Sequence, residues 1–561
     1  MTPPRRPFAP ALRSTLSALV QRARPLGLAL SVGALGTLLS PAGAWAQDDP
    51  ATPLGGDLSA EQLPRVLRLS MADAVDLAVQ NNLDLVLAQL EEDGLRLDYL
   101  STWGSFDPLL EAGVNYVDSE TPQALPGLAG DVPVVNREFT NLNSSLSQLL
   151  TTGGRVTLSG DYSTTVTNNQ FAQAPEFSEA SLSLGFAQPL LRNAWRGATL
   201  APQRTAEIAW RRQVQTKREQ LEQLLQDVQN AYWDLVAALE LQKVRELTLA
   251  QSKRQLEINR ETLRVGTGTE VDLLQAETSV ATNEQDLLEA RNTALDRMDD
   301  LRRLLFRRDG SSDVAWQEYL ELWRIPIEPG TTLHGEVPDA DGLDWVAALA
   351  VALERRPLLA QARYDIDSAE VALKQASSAR LPQLDLNFEV RSNAANPESE
   401  STIEDTVGIE FPTYTAGLTF GLPLLNREAA NRERRARVDL VKAKLQYEAQ
   451  ENQIIAEVRA AVRGVRYQSE AVRAARASRE LAERQLEAED QAFREGSSTT
   501  FQVLEFQRQL AEALQSEKLA QCEYQKAEVA LRRAQGRLSD QVLESASDPL
   551  PVDVTPAEER E

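Results

Sequence analysis

Histidine and cysteine are almost absent from this sequence of 561 residues, which contains one of each, His334 and Cys522. A single cysteine excludes a disulfide within the chain. A single histidine excludes a metal site that is built from several histidines. The sequence also has no phosphate-binding loop and no Cys/His pair at the spacing of a metal site. We therefore predict that the protein is not an enzyme and that it binds no metal and no cofactor.

Long hydrophobic runs are missing after residue 46, where no stretch of 18 consecutive apolar residues occurs. This absence excludes a conventional transmembrane helix in that part of the chain. Entry into a membrane would then require a closed β-barrel, because a bilayer cannot satisfy the backbone groups at an open sheet edge.

Residues 1–46 contain no acidic residue and carry five arginines before a short apolar stretch at 25–39. Ala44-Trp45-Ala46 follows, a pattern that signal peptidase cleaves. We predict a signal peptide over 1–46; the alternative is a retained N-terminal anchor. Removal of the five arginines would change the formal net charge from −25 to about −30. A chain this acidic lacks the basic surface that phosphates require, so no nucleic-acid partner is expected.

Proline is missing from two long stretches, 203–325 and 424–548, which are rich in strong helix formers. Within both stretches apolar residues recur at alternating steps of four and three, the spacing of a coiled-coil seam. The residues that carry this spacing are Leu221, Leu225, Val228, Tyr232, Leu235 and Leu239 in the first stretch, and Ile455, Val458, Val462 and Val465 in the second.

Each stretch is interrupted once, where a glycine ends one helix and a Ser or Thr residue begins the next. The interruptions are Arg264-Val265-Gly266-Thr267-Gly268-Thr269 and Arg494-Glu495-Gly496-Ser497-Ser498-Thr499. The pattern predicts two helical hairpins, over 193–305 with a turn near 266 and over 426–538 with a turn near 496. Helices this long need neighbouring helices along their length, from the same chain and from other subunits.

Alternating apolar and polar residues predict β segments within 107–188 and 382–422. The first region contains four such segments, near 109–117, 141–150, 156–166 and 178–188. Strands of this kind fit a half-buried soluble sheet as well as a barrel that faces lipid outside and water inside. Periodicity alone does not separate the two, but the length of the attached helices favours the barrel.

Two similar halves follow one another along the chain, as in a protein with an internal repeat. Phe186-Ala187-Gln188-Pro189-Leu190-Leu191 in the first half matches Phe420-Gly421-Leu422-Pro423-Leu424-Leu425 in the second. We predict a mixed α and β fold with two structural repeats, over 47–308 and 342–540. Residues 309–341 are predicted to form an equatorial connector, and the acidic segment 541–561 a disordered tail.

These motifs, in this order and repeated, resemble the TolC family of outer-membrane efflux proteins. The resemblance rests on the two turns and on two further motifs, Leu69-Ser70-Met71-Ala72-Asp73-Ala74-Val75 and Gln188-Pro189-Leu190-Leu191-Arg192. It implies a homotrimer whose outer-membrane β-barrel continues into an α-helical coiled-coil tunnel across the periplasm. It also implies passive export, by efflux or type I secretion, together with a periplasmic adaptor (membrane fusion protein) and an inner-membrane pump.

Two other classes of protein are disfavoured. An exported periplasmic coiled-coil adaptor or scaffold is the main alternative, but adaptors have one hairpin flanked by lipoyl-like β halves, whereas two hairpins are predicted here. A secreted enzyme that acts on polymers is disfavoured by the scarcity of histidine and by the absence of a loop-rich carboxylate cluster.

The resemblance also implies roles for residues at the two turns. Val265, Gly266, Thr267, Glu495, Gly496 and Ser497 would contact the adaptor, in addition to ending the helices. Asp272 and Glu505 would ring the periplasmic entrance, whereas Gln502 stands where the family often has an aspartate. Three carboxylates around a threefold axis repel one another, attract cations and raise one another's pKa. The alternative is that Asp272 and Glu505 are ordinary exposed helix charges.

Three aromatic residues flank the predicted strands: Trp103, Phe106 and Trp195. They are candidates for an aromatic girdle in contact with lipid at the periplasmic side of the outer membrane. The alternative is packing at the junction between helix and strand.

The number of strands departs from the resemblance. Family members commonly contribute two barrel strands per half, whereas the first half here offers four β segments. Either the barrel has extra strands or one pair forms an external hairpin.

Overall fold

The computed structural model describes residues 66–122, 134–169, 172, 174–308, 313–331, 333, 340 and 342–540. The predicted signal peptide (1–46) and acidic tail (541–561) lie outside these ranges, as does part of the predicted connector. Among the described helices, none has the combination of length and apolar content that crossing a bilayer requires.

Helices and strands account for most of the described residues. The strands are β1 (Leu67–Leu69), β2 (Leu109–Pro122), β3 (Val134–Leu149), β4 (Arg155–Thr167), β5 (Glu176–Pro189), β6 (Ile327–Pro329), β7 (Gln383–Asn396) and β8 (Pro412–Gly421). The helices are α1 (Met71–Asn81), α2 (Leu83–Thr102), α3 (Trp195–Thr199), α4 (Ala201–Val265), α5 (Glu270–Leu305), α6 (Asp313–Arg324), α7 (Trp345–Arg355), α8 (Pro357–Ala379), α9 (Ser399–Val407), α10 (Arg427–Arg494) and α11 (Thr500–Ala534). A short 3₁₀ helix, Trp103–Phe106, precedes β2.

Six strands form one antiparallel sheet in the order β2-β3-β4-β5-β7-β8. Side chains alternate between its two faces, because successive residues of a strand point in opposite directions. One face is apolar in every strand and includes Leu110, Leu142, Leu158, Leu184, Phe388 and Leu418. The opposite face is polar and includes Asn115, Asp161, Ser181, Glu389 and Thr415.

All connections between this sheet and the long helices lie at one end of the sheet, which we call the helix end. Leu109 opens β2 there, opposite Ser147. β5 leaves toward α4 at the same end, and Gln383 of β7 is paired with Gly421 of β8. The opposite end is called the distal end. The chain therefore places the sheet and the helical hairpins in series.

Two helical hairpins are present, α4 with α5 and α10 with α11. Helix α4 alone has 65 residues, which corresponds to roughly 100 Å. Its middle part carries the largest apolar cluster, in which Leu225, Tyr232, Leu301 and Leu305 are fully buried. This cluster lies on the seam that the alternating steps of four and three predict.

Tyr232 of α4 binds two segments that lie on either side of the first hairpin in the chain. Its hydroxyl donates to the carbonyl oxygen of Leu69 at 3.1 Å and accepts from the backbone N–H of Thr331 at 3.1 Å. Leu69 and Thr331 are in and next to a small parallel sheet of β1 and β6. The connector is thereby held against the middle of α4.

Glu222, which is buried on α4, holds the last described turn of the chain. Its carboxylate accepts from the backbone N–H groups of Leu538 and Ser539 at 3.1 and 3.0 Å, and from the Ser539 hydroxyl at 2.6 Å. These three hydrogen bonds replace the hydrogen bonds to water that the carboxylate loses when it is buried.

The first long helix begins at Ala201 rather than near residue 193, where the sequence placed it. Asn193 has a left-handed backbone conformation with φ of 55°, which the interior of an α-helix does not contain. Trp195, the first residue of the short helix α3, also has a positive φ of 65°. The backbone N–H of Trp195 donates to Thr152 in the turn between β3 and β4, and that of Asn193 donates to Ser378 of α8. At these residues the chain changes direction between strand β5 and helix α4.

The predicted β region 382–422 is not β throughout, because helix α9 separates β7 from β8. Thr402 and Thr406 of α9 are buried, and Ser399 at its start is 3.1 Å from Ser178 of β5. Asn396 also donates to Asp405 at 2.7 Å. This polar helix lies at the distal end of the sheet, and the alternation of strand residues gave no signal for it.

Candidate functional site

The turn of the first hairpin is shaped by Gly266, which ends α4 with a φ of 84°. This left-handed conformation favours glycine, because a Cβ would be strained there. Thr269 is the N-cap of α5, and its hydroxyl accepts from the backbone N–H of Asp272 at 3.2 Å. The Asp272 carboxylate in turn accepts from the backbone N–H of Thr269 at 3.3 Å. Asp272 is therefore the acidic partner in a capping box.

The turn of the second hairpin has the same backbone design. Gly496 has a φ of 77°, and Thr499 begins α11. The Thr499 hydroxyl accepts from the backbone N–H of Gln502 at 3.4 Å, and the Gln502 amide oxygen accepts from that of Thr499 at 3.3 Å. Asp272 and Gln502 thus occupy equivalent positions. Their shared role was missed from the sequence, although the spacings Thr-x-x-Asp and Thr-x-x-Gln signal it.

Asn259 joins the two helices of the first hairpin and contacts the second hairpin. It is 2% exposed, and its amide nitrogen donates to the carbonyl oxygen of Asp272 at 3.0 Å. Its amide oxygen accepts from Gln255 at 3.0 Å and lies 3.5 Å from the hydroxyl of Thr500 in the second hairpin. We call the segments 265–272 and 495–502, held together in this way, the turn pair.

A cavity of about 810 Å³ lies between the segments of the turn pair. Asp272 and Thr267 line it from the first hairpin, and Gly496 and Thr499 line it from the second. A second groove of about 570 Å³ lies between α5 and α11 and includes Glu505. The structure thus brings residues of both predicted turns to one end of the hairpins.

Glu505 is engaged by neighbours within its own helix. The Arg508 guanidinium donates to both of its carboxylate oxygens, at 3.0 and 2.5 Å, and Gln509 donates at 2.9 Å. The hydrogen bonds from Arg508 and Gln509 lower the pKa of Glu505 below its usual value. Within the described residues, no hydrogen bond or ion pair joins Glu505 to Asp272.

Large apolar side chains are exposed around the turn pair. Val265 is 65% exposed, Val271 63%, Leu274 64% and Phe501 62%. Scattered exposed apolar residues are normal on a protein surface, but Val271, Leu274 and Phe501 line one groove between α5 and α11 and so form an exposed apolar patch. Of the four residues, only Val265 was singled out from the sequence.

The three aromatic candidates lie at the helix end of the sheet. The rings of Trp103 and Phe106 are 5.9 Å apart in the 3₁₀ helix before β2. Trp195 follows β5, is 58% exposed, and donates from its indole nitrogen to the Leu190 carbonyl at 3.3 Å. Trp103 is 40% exposed. The structure therefore places these rings at the junctions between strands and helices, with part of their surface uncovered.

Within the part of the chain that the structure describes, no group of three or more His, Cys, Asp or Glu side chains is arranged to hold a metal ion. Cys522 is buried in α11, and burial raises the pKa of its thiol to about 12. The thiol is therefore almost entirely protonated at neutral pH and poorly reactive.

The family model of outer membrane efflux proteins matches residues 155–305 and 348–537, which is more than half of the chain. The chain belongs to the outer membrane efflux protein family. Its location is the outer membrane, and its function is that of a channel component of an efflux system, as the sequence analysis predicted. This is a family of transport channels rather than of enzymes.

Individual relatives agree with this family. The outer membrane protein TolC of Salmonella enteritidis is 24% identical over 472 residues, which cover 82% of this chain and 89% of TolC. TolC of Vibrio cholerae is 26% identical over 418 residues, which cover 72% of this chain and 86% of that protein.

Solved structures of outer-membrane channels show the same fold. The channel OprN has a TM-score of 0.59 at 16% identity, with 83% of this chain and 89% of OprN covered. The CmeC channel of Campylobacter jejuni also has a TM-score of 0.59 at 16% identity, with 85% and 89% covered. The predicted mixed fold of the efflux family is thereby confirmed at the level of one chain.

Proposed function

We propose that three copies of this chain form a passive efflux duct. In this proposal the six-stranded sheets close into a barrel in the outer membrane, and the helical hairpins line a tunnel below it. The apolar face of the sheet carries the argument. At least one apolar side chain on each of the six strands is 42% or more exposed, so an apolar surface on every strand lacks cover in the single chain; examples are Leu110, Leu142, Leu158, Leu184, Phe388 and Leu418. Lipid is the environment that such a face requires.

The long helices support the same assembly. Along α10 three apolar residues, Val438, Val441 and Leu445, are 62%, 57% and 58% exposed. Exposure of these apolar side chains to water is unfavourable, whereas a neighbouring helix of another copy would bury them. We propose that the two internal halves act as structural repeats within this ring, so that each copy supplies two hairpins to the wall.

The turn pair is the proposed docking site for a periplasmic adaptor, which would link the duct to an inner-membrane pump. The exposed residues Val265 and Phe501 would provide apolar contacts, and Gly266, Thr267, Glu495, Gly496 and Ser497 would present the two turns. The exposure of this patch, together with its position at the end of the hairpins farthest along the helices from the sheet, supports the assignment.

Substitution of Val265 tests the docking role. Val265→Arg places a desolvated charge in the proposed contact, so export of a fluorescent efflux substrate should fall by about tenfold or more. Val265→Thr is the matched control and should retain export, because it keeps the size of the side chain. Trimers of both variants should reach the outer membrane in normal amounts. Normal export by Val265→Arg would contradict adaptor docking at this turn.

Asp272 and Glu505 are the proposed charged residues of the periplasmic entrance, with Gln502 as a neutral counterpart. The capping box orients Asp272, and Arg508 offsets the charge of Glu505, so Asp272 is expected to contribute more to cation binding. Asp272→Gln reproduces the second turn and keeps the cap while it removes the charge. It should weaken block by trivalent cations in single-channel recordings, more than Glu505→Gln does. Equal cation block in the parent protein and in both variants would show that Asp272 and Glu505 are ordinary exposed helix charges.

Trp103, Phe106 and Trp195 are proposed to contact lipid at the periplasmic interface of the membrane. Their position at the helix end of the sheet and the partial exposure of both tryptophans support this role.

A further inference from the structure

The sheet of a single chain has two free edges. Strand order places β2 at one edge and β8 at the other. None of the described residues pairs with the outer side of either strand. β8 presents ten residues without a charge, Pro-Thr-Tyr-Thr-Ala-Gly-Leu-Thr-Phe-Gly. Monomeric proteins protect such edges with charges, bulges or covering segments, so an edge of this kind needs a partner.

The first two strands are continuous with the rest of the sheet. Arg137–Leu149 of β3 is paired with Arg155–Thr167 of β4 along their whole shared length. β2 continues the same pattern, because Leu110 and Val114 share a face with Leu146 and Leu142. An external hairpin would have neither a full ladder to β4 nor a matching apolar face that is 69–74% exposed at Leu110 and Val114.

Strand direction also fits closure between copies. The six strands alternate in direction, since every neighbouring pair is antiparallel. β2 therefore runs away from the helix end, and β8 runs toward it. A β8 edge placed beside the β2 edge of another copy would form a further antiparallel pair, with the apolar faces on the same side.

We propose that β2 of one copy pairs with β8 of the next, so that each copy contributes six strands to the barrel and the closed ring of three has eighteen. This inference rests on the proposed trimeric duct. At a spacing of 4.8 Å and a tilt near 40°, eighteen strands give a backbone diameter of roughly 36 Å, against roughly 24 Å for twelve. The family model begins at Arg155, the first residue of β4, so β2 and β3 lie outside the residues that it matches. The additional hairpin would widen the membrane pore of this member of the family.

Disulfide cross-linking between copies tests the pairing. Asn115→Cys on the polar face of β2 is combined in turn with Thr413→Cys, Thr415→Cys and Thr419→Cys on the polar face of β8. One register should bring a pair of Cβ atoms within reach of a disulfide and give covalent dimers and trimers on non-reducing gels. The native Cys522 is buried with a raised pKa, so the parent protein should give no cross-link.

The matched control places the first cysteine on β4, as Asp161→Cys, with the same three β8 positions. Asp161 lies on the same face as Asn115. It would meet β8 of another copy only if β2 and β3 stood outside a twelve-stranded barrel. Cross-links from Asp161→Cys, or none from Asn115→Cys in any combination, would overturn the proposal. If those same samples still contained heat-sensitive trimers, the proposed trimeric duct would stand and only the strand pairing would be wrong. If they contained only monomers, both proposals would be wrong.

Discussion

The middle and the tip of the long hairpins are built from the same helices but hold together by different forces. In the middle, α4 buries mainly apolar side chains, among them Leu225, Val228 and Tyr232. Near the turn pair, it buries hydroxyl and amide groups beside the apolar Leu249 and Leu256; these polar residues are Thr248, Ser252, Gln255 and Asn259. The middle is therefore stabilised mainly by removal of apolar area from water, whereas the tip depends to a greater extent on directional hydrogen bonds.

The tip can therefore change its structure at a lower cost in free energy than the middle. An apolar core loses stability smoothly with each methylene group, and its stability depends little on exact direction. A polar contact such as that of Asn259 with Asp272 exists in one geometry and is replaced by water when the segment opens. Segments that move in function are drawn from such low-stability regions. Three substitutions test this contrast between the middle and the tip of the hairpins.

The largest effect is expected in the middle. Leu225→Ala should lower the free energy of unfolding by about 2–5 kcal/mol, because the side chain is fully buried and its truncation leaves a cavity in the core. Guanidinium unfolding of the detergent-solubilised protein, followed by circular dichroism, measures the change. Val265→Ala, at an exposed position of the tip, should stay within about 0.5 kcal/mol of the parent. Equal losses at the two positions would mean that the middle is not the main core.

An intermediate effect is expected where the two hairpins meet. Asn259→Ala should cost about 1–3 kcal/mol locally, because it removes a buried amide that donates to the Asp272 carbonyl. Amide hydrogen exchange between residues 262 and 273 should accelerate by about tenfold or more, while exchange around Tyr232 stays unchanged. Glu257→Ala on the exposed side of α4 is the control and should leave both regions as they are. Unchanged exchange at the turn in Asn259→Ala would show that this residue does not hold the tip.

The smallest effect is expected at the turn glycines. Gly266→Ala should cost about 1 kcal/mol from the left-handed backbone alone, since no atom lies within 4 Å of the added Cβ. Gly464→Ala, inside α10 and equally free of neighbours, should instead stabilise the protein by about 0.5–1 kcal/mol. The two substitutions thus have opposite signs for the same added atom. Differential scanning calorimetry of the pair measures this, and equal signs would contradict the assigned backbone conformations.

The long helices could be predicted because their signal is repeated many times. Leu225, Val228, Tyr232 and Leu235 follow one seam, and the glycine and threonine residues of each turn mark where it stops. The six strands could be predicted for a similar reason, since each contains a long alternation of apolar and polar residues. Local periodicity was sufficient for both kinds of element.

The features that were missed depend on contacts between distant segments. The delayed start of α4 is set by hydrogen bonds from Asn193 to Ser378 and from Trp195 to Thr152, which no local pattern records. Helix α9 is polar and only nine residues long, so it has no apolar period to detect. The link through Asn259 is also invisible in sequence, because a buried amide on a helix resembles an exposed one. The capping role of Asp272 is the exception among the missed features, because the local spacing Thr-x-x-Asp indicates it.

The account depends most on assembly in the outer membrane, which one preparation tests directly. Protein extracted from outer membranes in mild detergent should migrate as a trimer without heating. After boiling it should migrate as a monomer below the 61.9 kDa of the full chain, because the predicted signal peptide 1–46 is removed. The same unheated fraction should open ion-conducting channels in planar bilayers. A monomeric protein recovered from the soluble periplasmic fraction, with no conductance, would contradict the account.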